Sequence, residues 1–208
     1  MSQKCCGHVA PASPDPRYRK VLWIALAANL AMFLVELAAS AASGSVSLAA
    51  DAADFAGDTA NYGISLAAMA AGGLWTSRAA LGKGIAMGLY GAAVLGYAGW
   101  RFSAGVPPEP ATMGIVGLLA LATNLGVAAL LYVWREGDAN MRAVWLCTRN
   151  DAIGNVAVLC AAAGVALTGA LWPDVAVALM MASLSLHASA QVIRRARNEL
   201  RHSVGAEV

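Results

Sequence analysis

The chain has 208 residues, of which 59% are hydrophobic and 12% are charged, and it carries a net charge of +2. A soluble globular domain carries roughly 25% charged residues, so this composition excludes a soluble enzyme, a disordered protein and a nucleic-acid-binding domain that relies on surface charge. The four cysteines do not indicate a disulfide scaffold in a chain of this length. With a mean hydropathy of +0.61, the sequence predicts a polytopic membrane protein.

Six stretches are long and apolar enough to span a membrane, which takes about 20 residues for a hydrocarbon core about 30 Å thick. In chain order they are Val21–Ala42, Val46–Gly72, Ala79–Phe102, Ala111–Trp134, Met141–Leu167 and Trp172–Ile193. Residues 1–20 hold three prolines and four basic residues without an apolar run, which predicts a cytoplasmic tail and not a secretory signal peptide. We therefore expect an all-α protein with a six-helix transmembrane domain over residues 21–193, a basic cytoplasmic tail over residues 194–208, and no second folded domain.

Lysine and arginine are concentrated on one side of this arrangement. They precede the first span, follow the sixth and lie around the connections after the second and fourth spans, whereas the opposite connections hold only Arg101. Since cytoplasmic segments of membrane proteins are rich in Lys and Arg, both termini are predicted to lie in the cytoplasm. The six tryptophans fall at or near span ends, as interfacial anchors do. We expect an integral, multi-pass protein of a bacterial inner (cytoplasmic) membrane.

Three aspartates lie inside the second span, where an ionisable side chain is costly and needs a partner or a function. Asp51, Asp54 and Asp58 are spaced i, i+3 and i+7, which puts all three on one face of a helix, and Asn61 continues that face. Adjacent carboxylates repel each other unless a cation or protons neutralise them. The second span therefore predicts a cation or proton site, although a structural salt bridge or packing contact is the alternative for any single aspartate.

The fifth span carries a second polar stripe formed by Cys147, Asp151 and Asn155. Arg149 is close in sequence and can offset one carboxylate, although it lies on another face of the helix. Two carboxylates at i, i+4 on one helix, with a thiol and a carboxylate at i, i+4 on another, supply four donors for a tetrahedral metal site. A thiolate favours zinc or cadmium over magnesium, and because such ligands bind metal only when deprotonated, the site can exchange metal for protons. For Cys147, the alternative of a small apolar packing residue stays open.

The segment Ser43–Asp58 resembles the second transmembrane helix of the cation diffusion facilitator family. In that family, a helix start rich in Ser and Leu is followed by a (His/Asp)-x-x-x-Asp pair, and a His-x-x-x-Asp pair in the fifth helix completes the transport site. Asp54 and Asp58 match the first pair and Asp151 matches the last aspartate, while Cys147 occupies the position of the histidine. The resemblance therefore implies a metal site formed by these four residues.

The same resemblance implies efflux of a divalent transition metal from the cytoplasm by metal/proton antiport, with no permanently bound cofactor and no enzymatic activity. We expect Zn²⁺ as the transported ion and Cd²⁺ as a competitor, with Co²⁺, Ni²⁺ and Fe²⁺ left open. Glu36 and Asp51 occupy positions where family members often have acids. We therefore take both as possible auxiliary residues, together with Asn61, Asn155 and His187.

The resemblance also bears on assembly. The cytoplasmic metal-binding and dimerising domain that is usual in the family has no counterpart in this sequence, so we expect a short, membrane-only member. A homodimer, if formed as in the family, would use transmembrane helices. A stripe of small residues in the third span, formed by Gly84, Gly88, Ala92 and Gly96, is the candidate interface. Close packing within one protomer is the alternative interpretation of this stripe.

Two weaker signals lie outside the four proposed ligands. Cys5, Cys6 and His8 form a Cys-Cys-x-His cluster, which either captures metal for the membrane site or belongs to a tail with reduced thiols. His187, in the sixth span, is either a proton carrier or, as we favour, a hydrogen-bonded packing residue. Two other functional classes remain: a non-transporting membrane metal sensor or accessory subunit, and a membrane-bound metalloenzyme, which the lack of histidine-rich spans disfavours.

Overall fold

The structure is a computed structural model that describes the backbone of residues 16–69, 73–136 and 139–205. Within these residues the chain forms α-helices and no strand, in the order α1 (Pro16–Ser43), α2 (Val46–Ala68), α3 (Gly73–Ala104), α4 (Pro110–Leu131), α5 (Ala139–Thr168) and α6 (Trp172–Gly205). A short 3₁₀ turn, Tyr132–Trp134, follows α4. The predicted all-α fold of six helices is confirmed.

Several helices extend beyond the apolar stretches seen in the sequence. α1 begins at Pro16, five residues before the expected start at Val21, and α6 continues through the basic segment to Gly205. Proline suits the first turn of a helix, where its missing N–H leaves no hydrogen bond unmade, and the Arg, Ala, Glu and Leu residues of the α6 extension are good helix formers. Hydropathy locates the part of a helix that lies in the bilayer, whereas the helix itself extends beyond that part.

The outer surface of the bundle is apolar, as contact with lipid requires. Among the described residues, five helices are long and apolar enough to cross a membrane. α2 is also long enough, at 23 residues, but contains three aspartates. Large apolar side chains such as Leu89, Ile115 and Ile153 are exposed. Because α2 is shielded by other helices, its polar side chains avoid the lipid.

α2 lies at the centre of the bundle and packs against α1, α3, α5 and α6. The most extensive contacts join α3 with α6, α1 with α2 and α4 with α5. Since most residues of α2 are buried, including Asp51 and Asp58, its polar face is directed into the protein.

Two apolar clusters close the ends of the bundle. The outer cluster lies at the end where α1 turns into α2, and it includes Val46, Met113, Val158 and Val165. The inner cluster lies at the opposite end and includes Tyr18, Leu22, Tyr62, Leu131 and Val144. Most of the buried acidic and amide side chains lie at helix positions between these clusters, in a polar layer that is separated from both ends of the bundle by apolar packing.

The turns at the outer end are tight. α1, α3 and α5 are each followed by a glycine with positive φ: Gly44 (72°), Gly105 (67°) and Gly169 (61°). A helix commonly ends with a residue in this left-handed conformation, which glycine adopts without steric cost. At Gly44, the guanidinium of Arg101 packs against the glycine so closely that a Cβ atom would overlap it. This position therefore favours glycine for its backbone angle, since the guanidinium lies at the end of a flexible side chain that can move aside.

Candidate metal centre

The N-terminus of α2 is fixed by a carboxylate from another helix. Ser45 caps α2 by accepting a hydrogen bond from Leu48 N at 3.2 Å. Asp174, in the first turn of α6, is fully buried and accepts a hydrogen bond from Ser45 Oγ at 2.7 Å. It also accepts hydrogen bonds from Val46 N at 2.7 Å and Ser47 N at 3.0 Å. These bonds satisfy amides that have no partner within the helix, and they set the depth at which α2 presents its aspartates.

Asp58 is held by a tyrosine hydroxyl, which in turn is bonded to a threonine of α5. Tyr62, one turn further along α2, donates a hydrogen bond from its hydroxyl to Asp58 Oδ2 at 2.9 Å. The same hydroxyl lies 2.7 Å from Thr148 Oγ1 on α5, and since the one proton of Tyr62 goes to Asp58, Thr148 is the donor in this second hydrogen bond. Tyr62 and Thr148 are both buried. This chain of hydroxyl groups orients the Asp58 carboxyl group at the interface of α2 and α5.

Asp151, on α5, faces Asp58 across that interface, and the two carboxyl groups are close enough to interact directly. Asp54 is half-buried and acts on Asp151 through its charge. Cys147 is buried on α5, one turn before Asp151. Within the described residues, however, no three His, Cys, Asp or Glu side chains are gathered closely enough to hold a metal ion. The structure therefore brings together two of the four predicted ligands, Asp58 and Asp151. It does not gather all four side chains at one point.

A lysine supplies the fixed positive charge that acts on Asp58. Lys83, on α3, donates a hydrogen bond to Asn61 Oδ1, and its charge acts on Asp58. Arg149, which the sequence suggested for this role, is exposed: its guanidinium lies 5.4 Å from the ring centre of Trp145 and donates to Asn150 Oδ1 at 3.3 Å. The neutralising charge therefore comes from α3, and Asn61 serves as its hydrogen-bond partner.

The remaining aspartate of α2, Asp51, belongs to a separate hydrogen-bonded chain. Asn155 Nδ2 donates to Asp51 Oδ2 at 2.7 Å, and Asn124 Nδ2, from α4, donates to Asn155 Oδ1 at 2.9 Å. Glu36, on α1, faces Asp51. All four side chains are at most 1% exposed. Of the predicted auxiliary residues, Asp51, Asn155 and Glu36 are therefore brought together.

Other candidates from the sequence are placed away from the acidic residues or outside the described part of the chain. His187 is exposed on α6, where its Nε2 lies 2.7 Å from Gln191 Nε2. Both interpretations of His187, as a proton carrier and as a hydrogen-bonded packing residue, stay predictions. Cys5, Cys6 and His8 lie outside the described residues.

Four residues of the centre and its support were missed by sequence reasoning: Tyr62, Thr148, Lys83 and Asp174. Tyr62 follows Asp58 at the i, i+4 spacing that places side chains together on a helix, so a local signal for it was present. Lys83 was assigned only to the positive charge of a cytoplasmic connection. Thr148 and Asp174 meet α2 from distant parts of the chain, and no spacing rule relates them to it.

The chemistry of this arrangement follows from its charges. Asp58 and Asp151 place carboxyl oxygens together between two apolar clusters, and Asp54 adds a further negative charge nearby. Two adjacent buried carboxylates are stabilised by a cation or by shared protons. Lys83 supplies one positive charge against three aspartates. The α2–α5 interface is therefore suited to exchange a positively charged ion for protons.

Comparison with known proteins assigns the second part of the chain to a family of membrane domains. The family model described as Cation efflux transmembrane domain matches residues 74–200, more than half of the chain. This range covers nearly all of α3 and continues through α4 and α5 into α6, so it includes Cys147 and Asp151, whereas α1 and α2 precede it. No curated protein matches the chain.

Proposed function

We propose a function from one premise: the chain belongs to the cation efflux family, the cation diffusion facilitators, and is an integral membrane protein that carries metal cations out of the cytoplasm. Within that family role, we propose that it exports Zn²⁺, with Cd²⁺ as a competing ion, in exchange for protons. The observation that supports this proposal most directly is the contact between Asp58 and Asp151 across the α2–α5 interface.

The proposed ligands are Asp54, Asp58, Cys147 and Asp151. Three carboxylates and one thiolate match the preference of Zn²⁺ for four donors that include sulfur. Asp58 and Asp151 already meet, whereas the other two donors require a shift of α5 along α2 or a change of rotamer. A site that closes in one arrangement of the helices and opens in another is the property that alternating access needs.

The coupling to protons follows from the same donors. Facing the cytoplasm, the deprotonated carboxylates and thiolate bind the metal; facing outward, protonation of these groups releases it. Lys83 restrains the accumulation of negative charge around Asp58 when no metal is bound. Inward movement of one net positive charge is favoured by about 2.3 kcal/mol per 100 mV of membrane potential, so the potential assists metal export when more than two protons enter for each divalent ion that leaves.

We further propose that the protein forms a homodimer through transmembrane helices, with both termini in the cytoplasm. The stripe on α3 divides into two parts. Gly84 and Gly88 pack against α6 of the same protomer, whereas Ala92 and Gly96 are exposed on the bundle surface. The exposed half is the part available to a second protomer, since small residues allow helices to approach closely in a membrane.

Zinc flux into proteoliposomes with an imposed pH gradient tests the proposed transport. We expect gradient-dependent flux in the unmodified chain and a loss to below about one tenth in Asp54→Asn and in Asp151→Asn, because losing even the hydrogen-bond partner of a ligand typically costs about tenfold or more in metal affinity or activity. Glu109→Gln is the matched control, since it neutralises an exposed carboxylate at the start of α4.

Two outcomes decide between the proposal and its alternatives. If flux depends on the two aspartates, Cys147→Ser and Cys147→His then test the fourth ligand, and we expect the histidine variant to retain flux. If none of Zn²⁺, Cd²⁺, Co²⁺, Ni²⁺ and Fe²⁺ is transported while metal binding is intact, the transporter proposal is wrong and a metal sensor or accessory subunit is favoured.

A further inference from the structure

A second pair of facing carboxylates lies on the outer side of the metal centre. Glu36 on α1 and Asp51 on α2 are both fully buried, and their carboxyl groups are close enough to interact. α1 runs antiparallel to α2, with Met32 packed near Phe55, so the next turn of α1 brings Glu36 level with Asp51. Asp51 precedes Asp58 by seven residues, which is about 10 Å along a helix. The pair is therefore separate from the contact between Asp58 and Asp151.

The hydrogen bonds around this pair leave an excess of acceptors. Asn155 satisfies Asp51 Oδ2, but Asp51 Oδ1 and both carboxyl oxygens of Glu36 are buried without a hydrogen-bond partner among the described residues. Asn124 Oδ1, at the far end of the Asn124–Asn155–Asp51 chain, is also buried without a partner there. A buried acceptor left unpaired costs about 1–3 kcal/mol, and more when it is charged. Three of these oxygens belong to the facing carboxyl groups, which a bound cation or a shared proton would neutralise.

Fixed charges do not supply that neutralisation within the described side chains. The ion pairs Arg135–Glu136 and Arg195–Glu199 link side chains that are partly or largely exposed. Lys83 is bonded to Asn61 near Asp58.

The titratable groups that face the pair from neighbouring helices do not neutralise it either. Asp54, one turn along α2, adds a like charge, and Tyr90 of α3 donates its hydroxyl to Ala49 O at 3.0 Å. Among the side chains that the structure describes, the facing carboxylates therefore have one amide donor, from Asn155, and no basic group.

We propose that Glu36 and Asp51 form a second cation site, made of oxygen donors alone and lying between the metal centre and the outer end of the bundle. Two facing carboxylates suit a divalent cation, and a hard ion such as Mn²⁺ in particular. Without a thiolate, the site holds Zn²⁺ more weakly than the centre that includes Cys147. If the exported metal binds this second site after it leaves the metal centre, that role rests on the proposed function. The binding of a cation at the second site does not rest on it.

Binding of Mn²⁺ to the purified full-length chain, counted by electron paramagnetic resonance, tests the site. The double variant Asp58→Asn/Asp151→Asn removes two of the four proposed ligands of the metal centre and is expected to retain one bound Mn²⁺. Addition of Glu36→Gln, or separately of Asp51→Asn, is expected to weaken that binding at least tenfold and to abolish the rise in unfolding temperature that Mn²⁺ produces. Glu109→Gln in the same background is the control and is expected to change neither quantity.

The substitution Glu36→Gln is chosen because it should preserve folding, so that a loss of Mn²⁺ binding cannot be attributed to an unfolded protein. The amide that it introduces can donate a hydrogen bond to Asp51 Oδ1, so the metal-free Glu36→Gln protein is expected to unfold at the same or a higher temperature than its parent. No Mn²⁺ bound to the double variant, or unchanged affinity after both further substitutions, would overturn the second site. Failure of the transport proposal would appear instead as zinc flux that is indifferent to Asp54 and Asp151.

Discussion

The orientation of Asp58 depends on a single phenol. Tyr62 donates to Asp58 Oδ2 and accepts from Thr148 Oγ1, so one hydroxyl links the α2 carboxylate to a side chain of α5. In metal sites, residues that orient a ligand contribute to affinity although they do not touch the metal. Tyr62 is therefore expected to act on metal binding through Asp58.

We expect Tyr62→Phe to weaken Zn²⁺ affinity about tenfold, the lower end of the range for loss of a ligand's hydrogen-bond partner. Calorimetric titration of the purified protein measures this change. Tyr97→Phe, which alters a tyrosine stacked on Trp100 with ring centres 5.8 Å apart, is the matched control and should leave affinity unchanged. Equal affinities in the two variants would show that Tyr62 only fills space.

At the level of the helices, the position of α2 is set from its outer end. The carboxylate of Asp174 accepts three hydrogen bonds from the first residues of α2, and Ser40 Oγ, near the end of α1, donates to Ser45 O at 2.6 Å. The α3–α4 connection joins this end through Glu109 N, which donates to Ser43 O at 3.1 Å. The start of α2 is thus anchored to α1 and α6 at the end remote from Asp58, and the α3–α4 connection is bonded to the end of α1 beside it.

We expect Asp174→Ala to lower the free energy of unfolding by about 2–3 kcal/mol, because hydrogen bonds to a charged acceptor are strong and their loss leaves buried donors unpaired. Asp174→Asn retains one acceptor oxygen and should lose less. Chemical denaturation in detergent measures both changes. A loss in Asp174→Ala no larger than that of a surface substitution would contradict this account of how α2 is anchored.

Glu109 also accepts hydrogen bonds at the start of a helix, but its side chain is exposed whereas that of Asp174 is buried. It caps α4 by accepting hydrogen bonds from Ala111 N at 3.1 Å and Thr112 N at 2.6 Å, and its side chain is exposed. The hydrogen bonds from Thr112 hold the pKa of Glu109 below its ordinary value of 4.5. Its contribution to stability is therefore present above pH 4.5 and is lost as the pH falls through the lowered pKa. Glu109→Gln should remove that pH dependence and have a much smaller effect than Asp174→Ala at neutral pH.

For the whole molecule, the two halves of the small-residue stripe on α3 have different roles. One half packs within the protomer, and the other is available for assembly. A Cβ atom on Gly88 would lie 2.7 Å from Ser189 Oγ, the hydroxyl that donates to Gly84 O at 2.6 Å. A Cβ atom on Gly96 would meet nothing within 4 Å. The two glycines therefore have different roles although they belong to one sequence pattern.

We expect Gly88→Ala to destabilise the protomer by about 1–3 kcal/mol through overpacking against α6. Gly96→Ala should be neutral or stabilise the helix by up to about 1 kcal/mol. The bulkier Gly96→Leu should preserve folding and reduce the dimer fraction. Thermal unfolding and light scattering in detergent measure the two properties. Loss of dimer in Gly88→Ala without loss of stability would reverse this assignment.

Composition and local spacing were sufficient for the class of protein, the six helices and the helix faces that carry Asp51, Asp54, Asp58, Cys147 and Asp151. Each of these conclusions depends on the period of one helix or on the apolar length that a bilayer requires, and both are properties of a continuous segment. The ends of α1 and α6 were misplaced because helical hydrogen bonding continues past the apolar stretch. The resemblance to a family supplied the pairing of the second and fifth helices.

The contacts between helices were decided by tertiary structure alone. That Asp58 meets Asp151, that Lys83 and not Arg149 offers the positive charge, and that Glu36 faces Asp51 all depend on the rotation and depth of whole helices. In a soluble protein, a helix marks its buried face by an apolar stripe. A helix in a bilayer is apolar toward lipid and toward its neighbours alike, so its sequence says little about which face meets which partner. Those choices are made by packing at small residues and by a few buried hydrogen bonds, such as those of Asp174, between residues far apart in the chain.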